Sequence, residues 1–388
     1  MKKSFFRLLL ALPFILSCSS DKDDDKDGGL EAKIFTIENG TYKSGDLPSG
    51  DDSFISNLQM NKNVINGGAS LITLSSSEQL SDLYVGVKDT KGYFECPLNS
   101  VKTPSAQGDS YEYEVIILLA QELSEAKFTV SLSAVSSSGK RNRIINSSEI
   151  DVVEVATGKL QVSLSWDQTD DVDLYLQEPD GNFIYYGNYM SCDDPNYLFN
   201  FACFLINKYT NHSTAGLDFS NEDDLELLEE YSYDIPETID FINELKKYAE
   251  QNNSSNLGFL DLDSNAGCDI DGINNENITY LKIKDGVYTV AVDLYKKCNS
   301  TTGAKYAVTV NYDGKPFTIS TKQSGQFSNT NDGNYGDLDN LVVIGQFRIS
   351  GGKCETVGSR SMEVRSLSIS KNDKLQKIVN KISKTTSK

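Results

Sequence analysis

The strongest constraint on the fold lies in residues 160–186, which read LQVSLSWDQTDDVDLYLQEPDGNFIYY. Apolar residues recur at every second position over 160–166 and again over 172–176. A period of two is typical of β-strands with one buried face. Trp166, the only tryptophan, ends the first apolar face and is expected in the core rather than at a ligand. The segment therefore predicts two strands joined by an aspartate-rich turn.

The N-terminus has the pattern of an export signal. Basic residues border the apolar run 8–16, which is too short to span a bilayer. The run leads into Ile-Leu-Ser-Cys, which resembles the bacterial lipobox and implies a lipid on Cys18. We expect a signal peptide over residues 1–17 and a membrane anchor at Cys18, with an ordinary cleaved signal as the alternative. No later segment has the 18 or more apolar residues of a membrane span.

The residues after the cysteine are strongly acidic. The segment 18–29 is dominated by aspartate, and this composition predicts a disordered, self-repelling tether. It also resembles the acidic export tag of Bacteroidetes lipoproteins. That resemblance implies an outer-membrane protein, lipid-anchored and facing the cell exterior, and a periplasm-facing anchor is the alternative.

Charge and cysteine content narrow the partners. The formal charge of −20 repels phosphate backbones, so no nucleic-acid partner is expected. One histidine and the lack of any C-x-x-C pair disfavour zinc. Six cysteines besides Cys18 are compatible with disulfides in an oxidising compartment. Local spacing favours Cys192–Cys203 and Cys268–Cys298.

Two β-rich regions follow the tether. Apolar runs at 69–74, 83–87, 113–119 and 128–134 are separated by turn residues, which predicts an immunoglobulin-like β-sandwich over residues 30–156. Residues 160–360 are expected to form a second β-sandwich after a minimal linker. The predicted fold class is mainly β, with two sandwich domains.

The second region resembles a known family. The segments 166–188, 257–281 and 285–295 contain W-D…D-x-D-L…P-D-G…Y-Y, then G-x-L-D-x-D, then G-x-Y-x-V. In this order they resemble the YfaP-like domains of bacterial secreted and surface proteins, over residues of about 160–320. The resemblance implies a β-sandwich and implies no enzyme activity.

Carboxylates concentrate in these same motifs. Asp-x-Asp spacing in a strand places both acids on one face, and an asparagine-rich loop follows the second such pair. Calcium prefers six to eight oxygen ligands from irregular loops, and no run fits the EF-hand. A composite Ca²⁺ site is predicted, with solvated turn residues as the alternative. The candidate ligands are Asp171, Asp173, Asp261, Asp263, Asp269, Asp271 and Glu276.

An insertion over residues 189–256 interrupts the family motifs. The segments 221–230 and 236–251 have helical patterns, and an aromatic run precedes them. Loops on a rigid scaffold often carry binding function, so Tyr197 and Phe199 are candidate ligand-binding residues. A packed helical lid without ligand is the alternative. Residues 361–388 are predicted to form a basic tail or frayed helix, with docking onto the acidic body or onto surface polysaccharide as further possibilities.

These features predict a non-enzymatic cell-surface lipoprotein that binds a glycan or a protein, with calcium ordering the aspartate-rich loops. One alternative is an extracellular polymer hydrolase that uses paired carboxylates. Another is a structural component of an envelope complex.

Overall fold

A computed structural model describes residues 34–37, 40–98, 110–123, 125–192, 194–252, 256–320, 323–357 and 373–386. The predicted signal peptide, the lipidation site Cys18 and the acidic tether lie outside the described residues. The described chain is mainly β, with several antiparallel sheets and four α-helices. None of those helices combines the length and the apolar character needed to cross a membrane.

The first half of the chain forms three sheets. Their orders are β1-β8-β5-β3, β11-β10-β6-β7-β2 and β4-β12-β9, and the pairing of β4 with β12 is parallel. The strands are β1 (Phe35–Ile37), β2 (Thr41–Lys43), β3 (Ile55–Gln59), β4 (Asn63–Ile65), β5 (Ala69–Ser76), β6 (Leu80–Val87), β7 (Tyr93–Pro97), β8 (Tyr111–Leu119), β9 (Lys127–Phe128), β10 (Val130–Ser136), β11 (Ile145–Asn146) and β12 (Ile150–Val153).

These sheets enclose one apolar core, because their strands alternate. In β8, for example, Tyr113, Val115 and Ile117 are buried while the residues between them are partly exposed. Phe35 and Phe94 pack with their ring centroids 6.0 Å apart in this core. The four apolar runs predicted as strands are thus confirmed.

The second half of the chain forms two further sheets. The β13 sheet has the order β16-β17-β18-β13-β20-β21, with β22 also on β20, and the β14 sheet has the order β15-β14-β19-β23-β24. The strands are β13 (Leu160–Trp166), β14 (Asp171–Gln177), β15 (Phe183–Ile184), β16 (Met190–Cys192), β17 (Leu257–Asp263), β18 (Asn275–Lys282), β19 (Gly286–Lys296), β20 (Lys305–Tyr312), β21 (Lys315–Pro316), β22 (Ser324–Gln326), β23 (Val342–Ser350) and β24 (Lys353–Thr356).

The β13 and β14 sheets share a second apolar core. Alternate residues of both sheets meet there, and Trp166 is fully buried among them, as its position in the pattern predicts. Tyr288 and Phe347 stack with ring centroids 5.3 Å apart in the same core. The two strands predicted over residues 160–186 therefore face each other from opposite sheets.

Four helices form a layer against β16 and β17. They are α1 (Pro195–Tyr209), α2 (Glu222–Ser232), α3 (Phe241–Gln251) and α4 (Asp373–Thr386). The prediction of α2 is confirmed, and the Asn221 side chain caps its start. The prediction that the next helix begins at Pro236 was wrong. Asp240 accepts a hydrogen bond from Asn243 N and starts α3 at Phe241.

The C-terminal helix α4 belongs to this layer. Leu375, Ile378, Val379 and Ile382 are buried at helical spacing against the insertion. Lys374 Nζ also lies 2.7 Å from Glu222 Oε1 of the acidic helix α2. The basic segment is therefore a docked helix over the residues described there.

Polar contacts join the two halves of the chain at the turn between β4 and β5. The carbonyl oxygen of Gly67 accepts hydrogen bonds from Thr309 Oγ1 (3.0 Å) and Asn311 Nδ2 (2.7 Å). Gln161 Nε2 donates to the carbonyl oxygen of Asn66 (2.8 Å). Gly67 has a φ of +73°, and a Cβ there would lie 2.2 Å from Gln161 Oε1. A side chain at this position would strain the backbone and displace the Gln161 amide, so glycine is favoured here.

Candidate metal centre

Carboxylates face each other twice across strands at one end of the β13 and β14 sheets. Asp173 of β14 is directly opposite Asp293 of β19, and Asp263 of β17 is directly opposite Glu276 of β18. Like charges in directly opposed positions destabilise a sheet. Two such pairs in one region indicate that something offsets their charge.

Three of these acids converge. Asp173, Asp263 and Glu276 each present an oxygen, and the three oxygens lie within 4.8 Å of one another. Asp173 comes from the β14 sheet, whereas Asp263 and Glu276 come from the β13 sheet. The trio therefore bridges the two sheets. Asp173 and Glu276 are 2% and 0% exposed.

Glu276 points inward because of its register. It lies on the same face of β18 as Ile278 and Tyr280, both of which are in the core between the sheets. Its Oε2 accepts a hydrogen bond of 2.6 Å from Leu174 N. Strand β15 pairs with β14 only at Leu176 and Gln177, so it does not cover Leu174 N. Glu276 Oε1 is buried without a hydrogen-bond partner among the described residues. That oxygen is available to a cation.

Asp263 reaches the trio because β17 contains a register shift. Leu260 pairs with Ile278, but Asp263 pairs with Glu276, so one extra residue is accommodated between them. The shift places Asp261 on the opposite face, where its oxygens accept hydrogen bonds from Ala156 N (2.5 Å) and Asn277 Nδ2 (2.7 Å). The expectation that Asp261 and Asp263 share a face was therefore wrong.

Two further acids flank the trio. Asp171 Oδ2 accepts a hydrogen bond of 2.7 Å from Gly267 N, while its Oδ1 is buried with no partner in the described structure. Asp293 Oδ2 is likewise buried with no hydrogen-bond partner in the described structure. Burial raises the pKa of Asp171 and of Asp293 to about 7. Each carboxyl group therefore takes up a proton more readily than a solvated aspartate does.

The pKa values of Asp173 and Glu276 are raised further. Burial is the largest cause for both, and repulsion from neighbouring carboxylates adds to it. For Glu276 the largest of these repulsions come from Asp173 and Asp263. Such a cluster has two low-energy states, since it can take up protons or bind a cation that offsets the repulsion.

The loop beside the cluster is held in place covalently. A disulfide joins Cys268 to Cys298, which follows β19, so the predicted Cys268–Cys298 pair is confirmed. Asp170 adds to this link, because its carboxylate accepts hydrogen bonds from Cys298 N (3.0 Å) and Ser300 Oγ (2.6 Å). The disulfide and these two hydrogen bonds connect the loop to the segment that follows β19.

The predicted Cys192–Cys203 disulfide is wrong. Cys203 has a free thiol in helix α1, and Cys192 Sγ donates to the carbonyl oxygen of Asp194 (3.8 Å). Helix α1 starts between the two cysteines and directs Cys203 into the helical layer. The spacing of the pair could not reveal this helix.

The remaining predicted ligands lie outside the trio. Asp269 and Asp271 are exposed, and Asp271 Oδ1 caps a turn by accepting from Ser264 Oγ (2.7 Å) and Ile273 N (2.8 Å). Tyr197 and Phe199 are buried in the helical layer, 4% and 7% exposed, because they belong to the apolar face of α1. The structure thus packs these two aromatic side chains away from a surface ligand.

A cleft of about 730 Å³ opens above the cluster. Its lining includes Asp171, Asp173 and Asp263 together with the aromatic residues Tyr186 and Tyr295. Sequence reasoning missed Asp293 and the two tyrosines. The sequence contained a signal for Asp293. Asp293 alternates with the apolar residues of β19, so it lies on the same outer face of the strand as Tyr295.

No protein-family model matches this chain, and no curated protein matches it in sequence. The resemblance to YfaP-like domains therefore stays a prediction. The geometry of the carboxylates is the evidence for function.

Proposed function

We propose that this chain is an extracytoplasmic binding protein whose site is a divalent-cation centre formed by Asp173, Asp263 and Glu276. The observation that carries the proposal is the convergence of three carboxylate oxygens within 4.8 Å. Glu276 Oε1, buried and without a hydrogen-bond partner in the described chain, supports it independently.

Calcium fits the donor set best. All three ligands are carboxylates, and hard cations such as Ca²⁺ and Mg²⁺ prefer oxygen. Mg²⁺ demands near-ideal octahedral geometry, whereas Ca²⁺ accepts irregular coordination by six to eight oxygens. Ligands from three strands in two sheets favour the more tolerant ion. The cation would connect the β13 and β14 sheets at this end.

A binding role fits the electrostatics better than hydrolysis. Carboxylate pairs in glycosidases work because their environments push their pKa values apart. Here the pKa values of Asp171, Asp173, Asp293 and Glu276 are all raised. We propose a non-enzymatic protein, because three carboxylate oxygens that lie this close together suit the holding of one cation.

The wider context completes the proposal. The two apolar cores support the division into sandwiches over residues 30–156 and 160–360, the first immunoglobulin-like. The predicted lipid on Cys18 would anchor them to the outer membrane, facing the cell exterior. In this arrangement the site would act in cell-surface adhesion or capture.

Thermal and urea unfolding in EDTA and in 1 mM CaCl₂ test the cation site. A ligand at about a thousand times its dissociation constant stabilises the native state by about 4 kcal/mol. We expect a calcium-specific gain of this size for the wild type, and a much smaller gain for Asp263→Asn.

Asp269→Asn is the matched control, because Asp269 is an exposed acid of the same cleft and lies outside the trio. It should keep the wild-type calcium gain. Equal unfolding curves of the wild type in EDTA and in calcium would refute the proposal.

A further inference from the structure

A row of tyrosines leads from the metal centre to the surface. The ring centroids of Tyr186 and Tyr295 are 5.2 Å apart, and those of Tyr295 and Tyr335 are 5.9 Å apart. Tyr186 and Tyr295 are partly exposed in the cleft, and Tyr335 is 61% exposed. We call these three residues the tyrosine row. It places aromatic surface beside a predicted cation.

The backbone at Tyr335 is in a strained conformation. Its φ is +55°, a left-handed conformation that bulky residues rarely adopt. The loop is nevertheless fixed, because Tyr335 N donates to the carbonyl oxygen of Tyr295 (3.0 Å) and Asn334 N donates to that of Leu294 (3.0 Å). An exposed aromatic residue held in a strained conformation indicates a functional role.

The cation would retain free coordination positions. The three carboxylates each present one oxygen to the site, so three of the six to eight oxygens that Ca²⁺ takes come from the trio and others must complete the shell. The cleft holds about 730 Å³, a volume typical of small-molecule sites. A short, oxygen-rich ligand segment fits this space.

The charge of the site selects among such ligands. One divalent cation offsets two of the five carboxyl groups of Asp171, Asp173, Asp263, Glu276 and Asp293. The chain as a whole has a formal charge of −20, so the field around the site stays negative. Phosphate, sulfate and uronate groups are repelled by that field. Neutral hydroxyl groups are not.

We propose that the metal centre and the tyrosine row together bind a neutral glycan. Two adjacent hydroxyl groups of a sugar complete the calcium shell, and the apolar faces of neighbouring sugar rings pack on Tyr295 and Tyr335. The inference rests on the proposed cation site and adds the ligand class. The rings of Tyr295 and Tyr335 are inclined at 68° to each other, so each would offer a separate face to a sugar ring.

Affinity electrophoresis tests the inference with the full chain. The probes are the neutral polysaccharides yeast mannan, levan and dextran, and the anionic polygalacturonate, each cast into native gels with 2 mM CaCl₂ or with EDTA. We expect at least one neutral polysaccharide to retard the wild type in calcium, and polygalacturonate to have no effect. EDTA should abolish the retardation.

Variants separate the ligand from the cation. Tyr335→Ala should weaken retardation at least tenfold while the calcium gain in unfolding temperature stays at the wild-type value. Tyr233→Ala, a 65% exposed tyrosine on the helical layer, should behave as the wild type. A calcium gain without retardation by any neutral polysaccharide, or full retardation of Tyr335→Ala, would overturn the glycan inference. A missing calcium gain would overturn the cation site itself.

Discussion

Glu276→Gln should change protein stability in opposite directions with and without calcium. In the metal-free protein the substitution removes a buried charge that repels Asp173 and Asp263. The amide oxygen can still accept the hydrogen bond from Leu174 N. In the calcium-bound protein the same substitution removes an anionic ligand.

The size of the effect follows from the geometry. Two unit charges 4.8 Å apart repel by about 3.5 kcal/mol at an effective dielectric constant of about 20. Glu276 can escape this repulsion by taking up a proton, which costs about 3.7 kcal/mol at pH 7 from an ordinary pKa of about 4.3. The repulsion energy that Glu276→Gln removes from the native state therefore cannot exceed this cost of protonating Glu276. The charge-assisted hydrogen bond from Leu174 N becomes a neutral one in Glu276→Gln, which lowers the gain in stability by about 1 kcal/mol.

We therefore expect Glu276→Gln to be more stable than the wild type by about 2–3 kcal/mol in EDTA at pH 7. In calcium, a tenfold or greater loss of affinity would remove about 1.4 kcal/mol or more of the calcium gain. Urea unfolding followed by tryptophan fluorescence measures both values, because Trp166 is buried in the core between these sheets.

The matched control is Glu178→Gln. Glu178 is also a buried glutamate, but it accepts hydrogen bonds from Ser191 Oγ (2.6 Å), Asn256 Nδ2 (2.8 Å) and Tyr280 Oη (2.7 Å). It should keep the wild-type calcium gain. If Glu276→Gln is less stable than the wild type in EDTA, then Glu276 is a structural cap and the reasoning fails.

Three further predictions concern pH, the disulfide and the contact between the halves. Burial raises the pKa of Glu178, so its contribution to stability is complete below its ordinary pKa and is lost as the pH rises through its folded-state value. The stability of Glu178→Gln relative to the wild type should thus rise with pH in a urea series that starts at pH 4, and a flat difference would contradict this. Cys298→Ser opens a loop with a sequence separation of 30, so it should cost about 3–4 kcal/mol by loop entropy and weaken calcium binding in calorimetry; unchanged affinity would show that Cys268 does not position the loop. Gly67→Ala should cost about 1–2 kcal/mol from its left-handed backbone and more from the contact with the second half. Gly139→Ala, with a φ of +83° and nothing near its Cβ, should show the backbone cost alone, and equal losses would exclude a role for the contact.

Periodicity predicted the β framework because alternation is a local property. The strand runs of both halves, the burial of Trp166 and the position of α2 all follow from residues close in sequence. Helix α1 was missed because Pro195–Tyr209 is apolar on several faces. A segment of that kind has no clear helical period until it is known which elements surround it.

The sequence named the three acids that the structure brings together, but it did not single them out among the seven candidates. Asp173, Asp263 and Glu276 were among the candidate ligands, and the structure brings these three together. Asp293 escaped notice because its proximity to Asp173 depends on strand pairing across 120 residues of chain. Asp261 was misplaced because a local register shift cannot be inferred from an alternating pattern.

The register shift in β17 makes chain length a determinant of the geometry of the candidate site. One additional residue lies between Leu260 and Asp263, so that Asp261 accepts a hydrogen bond from Ala156 N while Asp263 lies opposite Glu276. Deleting a single residue there would leave nearly all of the hydrophobic core unchanged. It would nevertheless turn Asp263 away from Glu276 and remove the contact of Asp261 with Ala156 at the same time. Substitutions in this run are therefore expected to be graded in effect, and length changes to be all-or-none.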